Sequence, residues 1–165
     1  MPIGRFYAGI AALIWKPETK QYLLLRRSGQ KDYAPGVWEC VTGRVDQGEG
    51  FEDALHREVR EELGVEVEVE HILGTTHFYR GTPDPDNELI GVIYLCTLPD
   101  AGSIRLDGEH SEYRWLDAQQ ALNLLTAPDP STQWAWRVIQ RANLIIPMLP
   151  DNLTNFQRDS GFELE

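Results

Sequence analysis

Glu58, Glu61 and Glu62 lie within one helical turn of each other, so a helix there would gather all three carboxylates on a single stripe. Steps of about 100° per residue put Glu61 and Glu62 within roughly 60° of Glu58. Like charges at that spacing cost a helix about 0.2–0.5 kcal/mol per pair, and more when partly buried. A divalent cation removes the conflict. Hard oxygen donors suit Mg²⁺ or Mn²⁺, and Mg²⁺ keeps several waters that a substrate or nucleophile can use. The alternative is a solvated acidic face with no ligand. Gly43, Gly48 and Gly50 stand just before the stripe and weigh against that reading. Glycines open backbone conformations closed to other residues and let a phosphate or metal approach the main chain.

The elements that must position these groups can be read from periodicity. Phe51–Leu63 has helical spacing, with Leu55, Val59 and Leu63 on an apolar stripe suited to packing on a sheet. Ala54 shares the acidic stripe, and Asp53, His56, Arg57 and Arg60 take the wetter side. Gly64 should stop the helix in a left-handed conformation. Strands are expected at Phe6–Trp15, Tyr22–Arg27, Trp38–Thr42, Val65–His71, Glu88–Leu98 and Glu112–Leu116, with Thr75–Arg80 continuing the fourth or starting another. In Val65–His71 valine alternates with glutamate, which predicts one buried and one wet face. Loops are expected at Ser28–Gly36, Gly81–Asn87 and Asp100–Gly108. A helix should follow Asp117 as N-cap, and a second should run from about Thr132 to Met148, bent or ended by Pro147. Strands mixed with a few helices make the chain α/β, with a mixed sheet between helical layers.

Around the acids the order of residue types is Gly43, five residues, Glu49, seven residues, then Arg57-Glu58-Val59-x-Glu61-Glu62-x-Gly64-Val65. Seven positions fixed by type recur by chance with a probability of about 10⁻⁸ per window. This stretch, GRVDQGEGFEDALHREVREELGV, resembles the signature of the Nudix hydrolases without a gap. The resemblance implies an α/β/α sandwich and hydrolysis of a nucleoside diphosphate linked to another group, with Mg²⁺ or Mn²⁺ as cofactor. Carried over by position, Glu58, Glu61 and Glu62 resemble the metal-binding carboxylates, joined by a main-chain carbonyl at Thr42 or Gly43. Arg57 and Glu49 resemble the pair that ties the helix to its loop. Many family members have Gly-Gly where this chain has Thr42-Gly43, preceded by Phe-Pro where it has Cys40-Val41. Trp38-x-x-Val41-Thr42-Gly43 and Glu109-His110-x-x-Tyr113-x-Trp115-Leu116-Asp117-Ala118 are similar to the dihydroneopterin triphosphate and dATP pyrophosphohydrolase branch.

Outside the signature, Glu109 is the leading candidate for an extra metal ligand or general base carried on a mobile loop, with Glu112 second. The expected catalytic set is therefore Glu61, Glu62, Glu109 and Arg57. Arg26 and Arg27 end a strand and could meet substrate phosphates, although alternation allows only one of them into the site. Trp38 and Phe78, then Tyr79 and Trp134, are candidates to stack on a base or pterin ring. His77 and His110 are further site candidates. The leading reading is a pyrophosphohydrolase that releases pyrophosphate from a nucleoside or pterin triphosphate. Hydrolases of ADP-ribose, nucleotide sugars or diadenosine polyphosphates use the same signature. A ligand-sensing module and a prenyl diphosphate isomerase are the readings outside hydrolysis. Sensors often lose signature carboxylates that this chain keeps. An isomerase needs a proton donor and acceptor flanking an alkene, which nothing outside the signature marks.

With 165 residues, 42% hydrophobic and 25% charged, the chain reads as one globular domain over residues 1–148 with a tail at 149–165 of little periodicity, loose or docked on a partner. A net charge of −11 argues against a nucleic-acid polymer as partner, since phosphate backbones need basic surfaces. The expected partner is a small nucleoside diphosphate or triphosphate derivative, bound by a monomer or a homodimer without membrane attachment. Ala8–Trp15 is too short to span a bilayer and runs into KPETK without a cleavage pattern, so it reads as a buried strand and the protein as cytoplasmic. Cys40 and Cys96 both fall in strands and read as reduced core residues.

Overall fold

The apolar run Ala8–Trp15 occupies most of the central strand, β1 (Tyr7–Lys16), of a computed structural model that describes residues 4–29, 34–99 and 104–164. Parts of the loops expected at Ser28–Gly36 and Asp100–Gly108 lie outside the described residues. From Ile10 to Ile14 no residue is more than 4% exposed, which is why the run is continuous rather than alternating. β1 pairs in parallel with β6 (Glu88–Thr97), from Tyr7↔Leu89 to Trp15↔Thr97. It meets β2 (Gln21–Arg27) antiparallel at the hairpin end and β4 (Val41–Arg44) antiparallel from Gly9↔Arg44 to Ala12↔Val41. β3 (Trp38–Glu39) and β7 (His110–Leu116) flank β2, and β5 (Glu68–Tyr79) lies antiparallel to β6. The seven strands form one mixed sheet.

Helices cover both faces, as the α/β/α expectation requires. Ile10, Ala12 and Ile14 point to one side and meet α1 (Phe51–Leu63) through Ala54, Leu55, Val59 and Leu63, none of them exposed. Ala11 and Leu13 point to the other side. There they meet α2 (Ala118–Leu124) and α3 (Pro130–Ile145). α1 ends as expected at Gly64, with φ of 66° and its N–H on the Arg60 carbonyl at 2.9 Å. Asp117 caps α2 and shares a reciprocal pair of bonds with Gln120. α3 starts at Pro130 under an Asp129 cap, two residues before the expected Thr132, and gives way to a 3₁₀ turn at Ile146–Met148 around Pro147.

Two expectations fail for identifiable reasons. Val65–Val67 is not strand; β5 begins at Glu68 and runs unbroken to Tyr79, with register shifts between Val69 and His71 and between Ile72 and Gly74. The first bulge turns Glu70 inward to 5% exposure, although simple alternation leaves it wet. Its carboxylate accepts from Thr97 Oγ1 and from Arg158 Nη2. The stretch after residue 149, expected as a loose tail or an arm docked on a partner, forms α4 (Asp151–Ser160), packed beside β5 of its own chain. Its contacts with β5 run through polar pairs, Gln157 with His71 and Arg158 with Glu68 and Glu70, whose distant partners the sequence does not name. Cys40 and Cys96 are buried free thiols, and burial pushes both well above the ordinary range. Among the described residues no helix is long and apolar enough to cross a membrane.

Candidate active site

β4 delivers Thr42 and Gly43 to the edge of α1, where the main chain of Gly43 lies against the Glu58 carboxylate. A Cβ at Gly43 would overlap that carboxylate, so the close approach depends on glycine. Burial raises the Glu58 carboxyl above the usual range, in spite of the opposing bond from Arg57. Arg57 is the hub of the loop. Its Nε and Nη2 donate to the two Glu49 oxygens at 2.7 and 2.8 Å, its Nη1 to Glu58 at 2.8 Å, and its Nη2 also to the Arg44 carbonyl at 2.9 Å. A longer approach of 3.5 Å reaches Glu61. Glu49 in turn accepts from the Asp46 N–H at 3.0 Å. The arginine thus holds the glycine loop, the helix and two of the acids in one arrangement.

The bonds from Arg57 hold the Glu49 carboxyl down at about 2. A depressed carboxyl stabilises the fold above its unfolded value, near 4.5, and that contribution is lost as pH falls from there towards about 2. Glu49→Gln should therefore be less stable than wild type near neutrality, and the two melting-temperature curves should approach each other below about pH 4.5 and converge only towards about pH 2. A constant gap down to the acid end would remove the pair from the account.

Glu62 lies at 5% exposure on the sheet side of α1, with Nδ1 of the buried His110 4.0 Å from its carboxylate. His110 Nε2 stands 3.2 Å from Glu39, which also takes Arg27 Nη1 at 3.0 and 3.1 Å. The preceding residue, Glu109, lines the cleft. Its N–H donates to Asp107 at 3.0 Å and its carbonyl accepts from Ser28 at 2.8 Å, so the expected mobile loop is anchored at this point.

Thr42, Gly43, Glu58, Glu61, Glu62 and Glu109 line a single cleft of about 1390 Å³. Phe78, Tyr79, His77, His110 and Trp134 line it too, with Trp134 Nε1 donating to Thr76 Oγ1 at 3.1 Å. Arg27 reaches the cleft, but Glu39 engages its guanidinium, which is only 14% exposed. Arg26 does not line it; alternation along β2 turns it away to Glu112, 3.7 Å distant. Trp38 does not line it either and packs in the core towards α2 and α3 beneath Arg114. Sequence reasoning missed Arg137 and Arg141 on the α3 wall. With Trp134, Val138 and Ile145 they follow helical spacing, a signal that was present in the sequence.

Among the described residues no three His, Cys, Asp or Glu side chains form a ready metal cage. Glu58 is turned to Arg57 and Glu62 faces the buried His110. The donor chemistry still fits a hard divalent cation. All of the candidate ligands are oxygens, and a carboxyl whose burial disfavours its charged form gains from a cation placed beside it.

A family model described as the NUDIX domain matches residues 6–142. Isopentenyl-diphosphate Delta-isomerase from Escherichia coli is 37% identical over 131 residues, covering 74% of this chain and 68% of that protein. Among solved structures, a MutT protein from Methanosarcina mazei Go1 superposes with a TM-score of 0.68 at 23% identity, covering 87% of this chain and 99% of its own. The E. coli dihydroneopterin triphosphate pyrophosphohydrolase superposes with a TM-score of 0.61 at 25% identity, again covering 87% and 99%.

Proposed function

Because this chain belongs to the Nudix family, whose hydrolases act on diphosphate linkages of nucleotide derivatives and generally use a divalent cation such as Mg²⁺, we propose that it is a pyrophosphohydrolase releasing pyrophosphate from a nucleoside or pterin triphosphate. The supporting observation is a cleft with two unlike walls. Acids and a bare main chain stand at α1, and Phe78, Trp134, Arg137 and Arg141 stand at β5 and α3. Such a cleft suits a flat ring at one end and a polyphosphate at the other.

Glu58, Glu61 and Glu62, with a main-chain oxygen of Thr42 or Gly43, would hold the cation. When bound, it would neutralise phosphate charge and acidify an attacking water. Arg57 keeps the ligand helix and its loop in register through Glu49. Glu109, which lines the same cleft, would orient or deprotonate the water. Glu109→Gln should reduce turnover at least about tenfold with little change in melting temperature. Unaltered steady-state rates would remove Glu109 from the reaction.

The isomerase relative favours a second reading. Isomerising an isopentenyl diphosphate needs proton transfer on both sides of an alkene, and the two thiols are closed in the core. A five-carbon chain would also leave most of the cleft unfilled. Incubation with nucleoside and pterin triphosphates, ADP-ribose, diadenosine polyphosphates and isopentenyl diphosphate, with products identified, tests both. Pyrophosphate as product supports the proposal. Nucleoside monophosphate plus a sugar phosphate moves it to another hydrolase branch, and an allylic diphosphate without phosphate release supports isomerisation.

A further inference from the structure

α1 has no cap of its own. Gly50 takes the N-cap position and has no side chain to offer the first N–H groups. An acceptor comes instead from the far end of the chain, where Glu163 Oε1 accepts from the Phe51 N–H at 2.7 Å. The exchange is reciprocal: Glu52 Oε2 accepts from the N–H groups of Phe162 and Glu163 at 2.7 and 3.1 Å. Gly161, at φ of 71°, turns the chain back towards α1, and a Cβ at Gly50 would overlap the Glu163 carboxylate. Phe162 sets its ring edge-on to the buried Tyr94, with centroids 5.8 Å apart. Arg158 grips Glu70 at 2.7 and 2.8 Å, and Gln157 meets His71 at 2.9 Å. This arm lies beyond the match to the family model, which ends at residue 142, and residues 150–164 do not line the cleft.

We infer that the C-terminal arm is an intramolecular clamp, with Glu163 a positioning residue that caps α1 and so sets the acids on it for their cation. The inference rests on the proposed cation-dependent reading of the cleft. The connection is short, because Phe51 follows Glu49 by two residues and Glu49 holds Arg57, the partner of Glu58 and Glu61. Since the arm stays out of the cleft, its loss acts on the cation and not on nucleotide contacts.

The test uses full-length Glu163→Ala and Glu163→Gln; the Gln amide oxygen can still accept from Phe51. Glu163→Ala should weaken Mg²⁺ binding by calorimetry about fivefold and raise the Mg²⁺ half-saturation of hydrolysis equally, with KM for nucleotide unchanged. Amide exchange at residues 51–53 should quicken. Glu163→Gln should restore each value to near wild type. Faster exchange or a lower melting temperature in Glu163→Ala with unchanged Mg²⁺ binding would overturn the inference, leaving a purely structural cap. Equal weakening in both variants would overturn the hydrogen-bond account. Weaker Mg²⁺ binding in Glu163→Ala, with a wild type that hydrolyses nothing, would uphold the clamp and sink the hydrolase reading.

Discussion

Glu61→Gln should lower kcat by about 10³-fold while shifting the melting temperature by no more than about 2 °C. The Glu61 side chain is 60% exposed, lines the cleft and meets Arg57 only at 3.5 Å, so the fold gains little from its charge. An amide is nearly isosteric but carries no net charge to offer a hard cation. Steady-state rates across a Mg²⁺ titration, alongside thermal melts of both proteins, measure the two effects separately. Recovery of wild-type kcat at saturating Mg²⁺ would limit Glu61 to affinity, and unchanged rates at every concentration would remove it as a ligand.

Gly43→Ala should cost about 100-fold in kcat together with several degrees of melting temperature. The added methyl would overlap the Glu58 carboxylate and drive it from the Gly43 main chain, where Arg57 now holds it. Overpacking of this kind costs about 1–3 kcal/mol, equivalent to about 3–10 °C for a domain of this size. The loss of rate should exceed what the melting shift explains, because the displaced group is a proposed ligand. Wild-type kinetics in a folded Gly43→Ala protein would show that the contact between Gly43 and Glu58 has no part in turnover.

The acidic stripe, the glycine loop and the Gly64 stop were legible because each depends on neighbours in sequence. Spacing alone puts Glu58, Glu61 and Glu62 on one side of a helix, and a glycine in the left-handed region ends it. Alternation failed at Glu70, where a bulge inverts the faces of β5, a feature set by pairing with β6. Alternation correctly admitted only one of Arg26 and Arg27 to the cleft, whereas Trp38 was misplaced because its packing towards α2 and α3 is decided by tertiary structure. α4 was missed for a different reason. Its docking uses Arg158, Gln157 and, just beyond it, Glu163, polar groups whose partners lie 86 to 112 residues away in the chain. The far wall of the cleft was readable along α3 from the spacing of Trp134, Arg137 and Arg141, but choosing that face required knowing what the helix packs on.

Cys40 and Cys96 are 2% and 0% exposed, which leaves the outside of the molecule silent towards maleimides. A spin label or fluorophore attached through one introduced cysteine, for example at Phe156 on α4 (64% exposed), would therefore report without background from native sulfur. Paired with a second label on α1, it would turn the seating of the C-terminus into a distance that can be followed in real time.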